Sequence, residues 1–333
     1  MQLPKLKRPL VKTLCAVLIA VIPTLMAAGP ATAIGNLGVN QVDSHPSVAQ
    51  RLGYPKNAKL LIVHADDLGM AHSVDVATGK ALEAGSVNSA SIMVPCPWFS
   101  EIAGYARAHP DTDLGLHLVL TSEWATYRWG AVLYVDKIPS LLSHDGYLYP
   151  TEDDAAKHID AREAEREIRA QVERALAFGI RPTHLDSHMG TLTQTRELLK
   201  AYLRVGHDYN LPLRLTRELA DRPEGAGLLT GRDIVIDREV TITPDVPASG
   251  WAEFYTNSIR TLAPGVTEFV IHLAYDDDEM RAITVDHPNW GSAWRQRDYD
   301  FFTSADCKKL LQANDVKLIT WREIGKLLKE AAH

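Results

Sequence analysis

Leu61-Ile62-Val63-His64-Ala65-Asp66-Asp67-Leu68-Gly69 is an apolar run, rich in β-branched residues, that ends abruptly in two adjacent carboxylates and a glycine. A strand buried on both faces of a parallel sheet reads this way when it delivers charge to its carboxyl end. Two neighbouring aspartates there repel each other and cost desolvation, and a divalent cation would remove that cost. The competing reading is a solvated turn, since Asp-Asp before Leu-Gly is also an acceptable helix N-cap.

Working outward, strand-like and helix-like segments alternate. Strands are expected at Lys59–His64, Val87–Val94, Asp113–Leu120, Pro182–Asp186, Leu213–Thr216, Glu268–Leu273 and Val316–Thr320. Helices are expected at His72–Ala84 (stopped by Gly85), Phe99–Ala108, Glu152–Phe178 as one long, charged, solvent-facing helix, Glu197–Val205, and Trp321–Lys329. Such alternation predicts an α/β fold with a parallel sheet wrapped by helices, as a barrel or a doubly wound sheet. The segment after the first strand lacks the glycine spacing of a dinucleotide-binding turn, which counts against the doubly wound nucleotide fold.

In a barrel, reactive side chains sit at the carboxyl ends of strands. Those ends carry Asp66 and Asp67; His117 within Asp113-Leu114-Gly115-Leu116-His117-Leu118; His184, Asp186 and His188 within Pro182-Thr183-His184-Leu185-Asp186-Ser187-His188; and His272 after Phe269-Val270-Ile271. A carboxylate and two or three imidazoles arriving from separate strands make an oxygen/nitrogen metal site suited to Zn²⁺ or a neighbouring first-row ion. Strand alternation puts His184, Asp186 and His188 on one face, where Asp186 could orient an imidazole. Each histidine alone also reads as a satisfied core residue, and the His184–His188 segment as a hydrogen-bonded loop. The aromatic-rich loop 121–149 is either a rim that stacks on sugar rings or a surface loop packed on the barrel, and Trp290 and Trp294 could extend such a rim. Trp124, Trp290 and Arg297 are the substrate-contact candidates. Asp276-Asp277-Asp278-Glu279 lacks EF-hand spacing and reads as a solvated acidic turn.

The amino terminus carries Lys5, Lys7, Arg8 and Lys12, then an apolar stretch from Leu14 to Ala28 broken by Pro23, then Ala31-Thr32-Ala33. This is the pattern of a cleavable secretory signal at residues 1–33 rather than a membrane span, and it implies export to a periplasm or beyond. Residues 34–55 read as a lead-in and 56–333 as one barrel domain. Loss of four signal cations takes the formal charge from −7 to −11, which argues against nucleic acid and anionic membrane partners. Cys96 and Cys307 would remain, either paired in an oxidising compartment or as buried thiols.

Three of these motifs, in this order, resemble the YdjC-like carbohydrate deacetylases, which include the chitooligosaccharide deacetylases. The family's Ala-Asp-Asp-x-Gly is matched by Ala65 to Gly69, its Gly-x-His-x-x-Leu-Thr by Gly115 to Thr121, and its Pro-Thr-His-Leu-Asp-Ser-His by Pro182 to His188. The late strand ending in His272-Leu273-Ala274-Tyr275 matches less closely, and the resemblance covers roughly residues 58–325. It implies a distorted (β/α) TIM-like barrel that removes acetyl groups from an N-acetylated sugar or oligosaccharide. It implies one divalent metal held by Asp67, His117 and His188, with Zn²⁺ or Mg²⁺ ahead of Co²⁺ and Mn²⁺. Asp66 would be the general base for the attacking water, and His272 the acid for the departing amine or a stabiliser of the oxyanion. His64 stands where the chitooligosaccharide branch is expected to carry asparagine, and Met189-Gly190 and Leu273 also depart from the pattern. The rival readings are a metal-dependent hydrolase of another amide or ester, and a non-catalytic periplasmic sugar-binding protein.

Overall fold

The computed structural model describes residues 46–330. The expected signal segment and residues 34–45 of the lead-in lie outside them. Seven strands run parallel: β1 Lys59–Leu68, β2 Ser89–Ile92, β3 Leu114–Leu118, β4 Leu185–Ser187, β5 Arg238–Thr241, β6 Gly265–His272 and β7 Val316–Leu318. Their order is β4-β3-β2-β1-β6-β5, and β7 pairs only with Lys59–Leu61 of β1. Residues 212–216 close the ring. Leu185 N–H donates to Pro212 C=O and Arg214 N–H to Leu185 C=O, while Ile236 N–H donates to Leu215 C=O and Asp237 N–H to Val266 C=O. Closure by single bridges (Leu185 with Leu213, Thr216 with Ile236) rather than by full ladders makes this a distorted barrel.

Alternation along the strands sorts the side chains into two cores. Leu61, Val63, Ala65, Phe269 and Ile271 join the core between sheet and helices. Leu60, Ile62, Ile236, Val266, Ile319 and Trp321 fill the lower barrel, where the helix Trp321–Glu330 and the turn Val48–Arg51 plug the end. Each such aliphatic side chain stabilises the fold by about 1.5–3 kcal/mol relative to exposure. Above this apolar layer the inward positions turn polar, with His64 and Glu268, then Asp66 and His272 at the rim. The apolar lower layer therefore holds the barrel together and leaves the upper end free for chemistry.

Most of the expected elements lie where the sequence places them, with His72–Ala84 and Phe99–Ala108 coinciding. Leu213–Thr216, however, makes only single bridges, and β5 and the helices Trp251–Arg260, Asp278–Ile283, Ser292–Thr303 and Ala305–Ala313 are not among those expected. The long helix 152–178 does not form as one piece. It divides into Glu152–His158 and Ala161–Ala177, because Asp160 caps the second helix by accepting from the Arg162 and Glu163 amides. Nor is the second helix wholly solvent-facing. Glu167 and Gln171 are fully buried. Glu167 accepts from the Val132 and Leu133 amides, and Gln171 bonds both backbone groups of Val119. These bonds pin loop 121–149 onto the barrel, with Trp124, Trp129, Ile138, Leu141 and Leu148 buried beneath it. Cys96 and Cys307 are both buried and unpaired.

Asp75, in the first turn of His72–Ala84, accepts from the Gly69 amide at 2.6 Å, while its second oxygen is buried without a partner. Burial, with Glu101 and Glu279 nearby, pushes its carboxyl up to about 8 from an ordinary 3.8. A proton held more tightly in the folded chain gives stability that is full below the unfolded value and is lost as pH rises through about 8. Asp75→Asn keeps the Gly69 bond and removes this titration. Its thermal stability is expected to fall less than wild type between pH 6 and 8, by at most about 1.4 kcal/mol per pH unit. Parallel melting curves for the two proteins across that range would refute the assignment.

Candidate metal centre

The first strand places both carboxylates by breaking its own regularity. In a regular strand, adjacent side chains point to opposite faces. The pairing of β1 with β2 shifts register between Ala65 and Leu68, and Asp67 adopts φ 74°, in the left-handed region. That conformation costs a non-glycine residue about 1–2 kcal/mol. Its effect is to turn Asp67 back so that its Oδ1 and the Oδ2 of Asp66 lie 3.4 and 3.6 Å from the same atom, His117 Nε2.

His117, near the end of β3, and His188, in the first residue after β4, meet Asp67 over the barrel mouth. Asp67 Oδ1 lies 3.4 Å from His117 Nε2 and 3.7 Å from His188 Nδ1, and the two imidazole nitrogens are 3.3 Å apart. Two ligand atoms on one small divalent ion are roughly 3–3.5 Å apart, given bonds of about 2.0–2.2 Å. Asp67 Oδ1 is buried and accepts no hydrogen bond. The far atom of each group is already held. Arg295 donates to Asp67 Oδ2 at 2.7 Å, Asp186 Oδ1 lies 2.7 Å from His117 Nδ1, and Glu123 Oε2 lies 3.1 Å from His188 Nε2. Carboxylates on the far nitrogens turn both lone pairs towards Asp67. An orphaned carboxylate oxygen facing two such nitrogens is a donor set suited to a divalent cation. Two other groupings share Asp186, whose oxygens already face His117 Nδ1 and His64 Nε2.

The electrostatics agree. Burial opposes the charge on Asp67, but Arg295, His117 and His272 outweigh it and hold the carboxyl well below its usual range. Burial likewise opposes charge on His117, yet Asp66 and Asp186 draw positive charge to it strongly. Asp66 is ionised. Burial is outweighed by Arg214, His117 and a hydrogen bond from His64. Its Oδ1 accepts from Arg214 Nη1 at 3.2 Å and faces His64 Nε2 at 3.1 Å. Its Oδ2 is 4.0 Å from His272 Nε2, at the end of β6. Burial lowers His272 to about 4, with Arg295 adding to the effect and Asp67 and Asp66 opposing it, so its imidazole is neutral near pH 7. Asp298 accepts from the His272 amide at 3.0 Å and from Trp251 and Tyr255, both at 2.8 Å, which anchors the end of β6.

The fold thus brings Asp66, Asp67, His117, Asp186, His188 and His272 together. It sets His184 beneath Asp186 and places the substrate-contact candidates elsewhere. His184 points below the centre, stacked on Trp321 at 5.3 Å and bonded to Thr183, in space that Gly115 leaves free for want of a Cβ. It lies four residues before His188 on the same face and supports the centre from below, with Nε2 4.0 Å from Asp186 Oδ2. Trp124 is buried rather than rim-exposed, with its ring 5.6 Å from the Arg295 guanidinium. Trp290 stacks on Trp294 and accepts from Arg295 Nε at 2.6 Å, so it braces the arginine that holds Asp67. Arg297 faces away, 4.5 Å over the Trp251 ring in a groove between the helices Trp251–Arg260 and Ala305–Ala313.

Three residues at the centre escape sequence reasoning. Arg214 is the one charge in the strand candidate Leu213–Thr216, and the rule applied to the other strand ends would have found it. Glu123 lies just beyond the second motif in a loop, and Arg295 lies in the helix Ser292–Thr303. Neither position carries a local signal.

Comparison with known proteins adds four findings. A family model described as YdjC-like protein matches residues 60–313. A carbohydrate deacetylase of Thermus thermophilus is 30% identical over 289 residues, 84% of this chain and 98% of its own. A chitooligosaccharide deacetylase of Serratia marcescens is 33% identical over 171 residues, 50% of this chain and 63% of its own. Among solved structures, an Enterococcus faecalis V583 protein named for cellobiose-phosphate cleavage superposes with TM-score 0.67 at 24% identity, covering 80% of this chain and 99% of that one. That likeness concerns the fold.

Proposed function

As a member of the YdjC-like family, this chain carries, we propose, the activity for which its relatives are named: it is a metal-dependent carbohydrate deacetylase that hydrolyses the acetamide of an N-acetylated sugar or oligosaccharide. The observation that carries this reading is the free oxygen of an ionised carboxylate, Asp66 Oδ2, 3.6 Å from His117 Nε2 and beside the unpaired Asp67 Oδ1. A binding protein has no need of that second carboxylate, whereas hydrolysis needs a base there.

Asp67, His117 and His188 would hold the ion. When bound, a divalent cation supplies the Lewis acidity that polarises the acetamide carbonyl and acidifies the attacking water, which a carboxylate as weakly basic as Asp66 requires. Asp66 takes the proton of that water on Oδ2, because Arg214 and His64 occupy Oδ1. Asp66 then passes that proton to the departing amine, while His272, neutral and 4.0 Å across the same space, donates a hydrogen bond that steadies the oxyanion. Arg295 keeps Asp67 charged and fixes its second oxygen. Two imidazoles and one carboxylate suit Zn²⁺, with Co²⁺ and Mn²⁺ as substitutes, while Mg²⁺ prefers an all-oxygen shell.

The test is acetate release from a panel of N-acetylated mono- and oligosaccharides. Release is expected from at least one sugar, is lost with a chelator and returns with Zn²⁺ or Co²⁺. Release that survives complete metal removal, or silence across the panel, counts against the reading. We further propose that the protein acts after export, a reading supported by the basic-then-apolar residues 1–33. Secreted material should begin at Ile34, and an amino terminus that retains residues 1–33 would overturn that part.

A further inference from the structure

Beneath the centre lies a polar layer that takes no direct part in the reaction. His64, fully buried on the central strand β1, has its Nε2 2.9 Å from Asp186 Oδ2, 3.1 Å from Asp66 Oδ1 and 3.0 Å from Ser91 Oγ. Its Nδ1 is 2.9 Å from Ser89 Oγ and 3.7 Å from Glu268 Oε1, and that same glutamate oxygen accepts from Trp321 Nε1 at 2.7 Å. We propose that His64 is a positioning residue that clamps Asp66, the base, to Asp186, the carboxylate that orients the metal ligand His117.

The geometry divides the labour of each carboxylate. Asp66 gives Oδ1 to the clamp and keeps Oδ2 for the reaction. Asp186 gives Oδ2 to the clamp and keeps Oδ1 for His117 Nδ1 at 2.7 Å. Without a donor between them the two clamped oxygens repel each other. Arg214 Nη1 reaches the same two oxygens from the other side, at 3.2 and 3.5 Å, but also turns Nε to Glu239 at 3.6 Å, and it sits on the singly bridged segment that closes the barrel. His64 sits on the strand paired along both edges, with β2 at Ser89 and with β6 at Val270. It is therefore the stiffer half of the clamp. Burial opposes its charge, but Asp186, Asp66 and Glu268 together raise its pKa to about 10, so near pH 7 both ring nitrogens donate. Through Asp186 the clamp ties the orientation of His117 to the position of Asp66, so one residue sets both metal affinity and the placement of the base.

This inference rests on the deacetylase reading only for its kinetic arm, because metal affinity can be measured without substrate. Glutamine can place a donor where Nε2 lies, whereas asparagine reaches only the Nδ1 position. His64→Asn is expected to weaken Zn²⁺, measured by competition with a chromophoric chelator, by about tenfold. It is also expected to lower kcat for acetate release by about tenfold or more, with KM within about twofold. His64→Gln is expected to recover most of both losses. Equal effects of the two substitutions on Zn²⁺ affinity, or a His64→Asn protein that binds Zn²⁺ as wild type does, overturns the proposal. Should His64→Asn fail to fold, His64→Gln decides alone: a folded variant that loses more than about tenfold in Zn²⁺ affinity refutes the clamp. Wild-type protein that binds Zn²⁺ but releases no acetate overturns the deacetylase reading and leaves the Zn²⁺ arm to decide on His64. Wild type that binds no Zn²⁺ overturns both.

Discussion

Asp66→Asn is expected to reduce acetate release by about a thousandfold while leaving the metal in place, the loss typical of a removed general base. Asparagine preserves the shape of the side chain and offers its oxygen or its amide to Arg214 and His64, so the packing at the end of β1 survives. What disappears is the negative charge on Oδ2, the oxygen that faces His117 Nε2 and His272 Nε2 at 3.6 and 4.0 Å. Asp67, His117 and His188 are untouched, so elemental analysis of the variant should match wild type. Turnover within about tenfold of wild type would remove Asp66 from the mechanism.

His117→Ala and His188→Ala are each expected to empty the centre and abolish activity with it. Each removes one of three donors and leaves Asp67 Oδ1 buried beside a void. The loss in affinity should exceed the roughly 10–100-fold typical of changing a group that only supports a ligand. The two variants should differ in stability. His117→Ala also strands Asp186 Oδ1, which is fully buried and loses its 2.7 Å partner, whereas His188→Ala strands only Glu123, which is nearer solvent. The first should therefore melt at the lower temperature. Full metal occupancy in either purified variant, read by elemental analysis, would sink the triad.

Much of the architecture could be read from the chain because β-branched runs, stop signals and helix periodicity are local. Gly85 ends its helix in a left-handed conformation at φ 80°, which glycine adopts freely. The histidines could be read for a related reason. A polar residue inside an apolar strand has few stable settings, and the ends of parallel strands face one another once a barrel closes. The division of 152–178 into two helices was less visible, since Asp160 serves a charged helix face and an N-cap equally well as a residue type. His184 could be read too, since strand alternation sets it on the same face as Asp186, and its Nε2 lies 4.0 Å from Asp186 Oδ2.

By itself the sequence determined the alternation of parallel strands with helices, the set of polar residues at the strand ends and the pairing of Asp66 with Asp67, because each follows from side-chain chemistry and near-neighbour spacing. Only the tertiary structure decided how the two aspartates share one centre. Strand alternation predicts that they diverge, and the left-handed turn at Asp67 reverses that. The turn is held by groups remote in sequence, with Arg295 on one oxygen of Asp67 and Arg214 and His64 on one oxygen of Asp66. The energy that offsets the strained backbone comes from charges that meet only when the barrel closes, and no local pattern in the chain records that meeting.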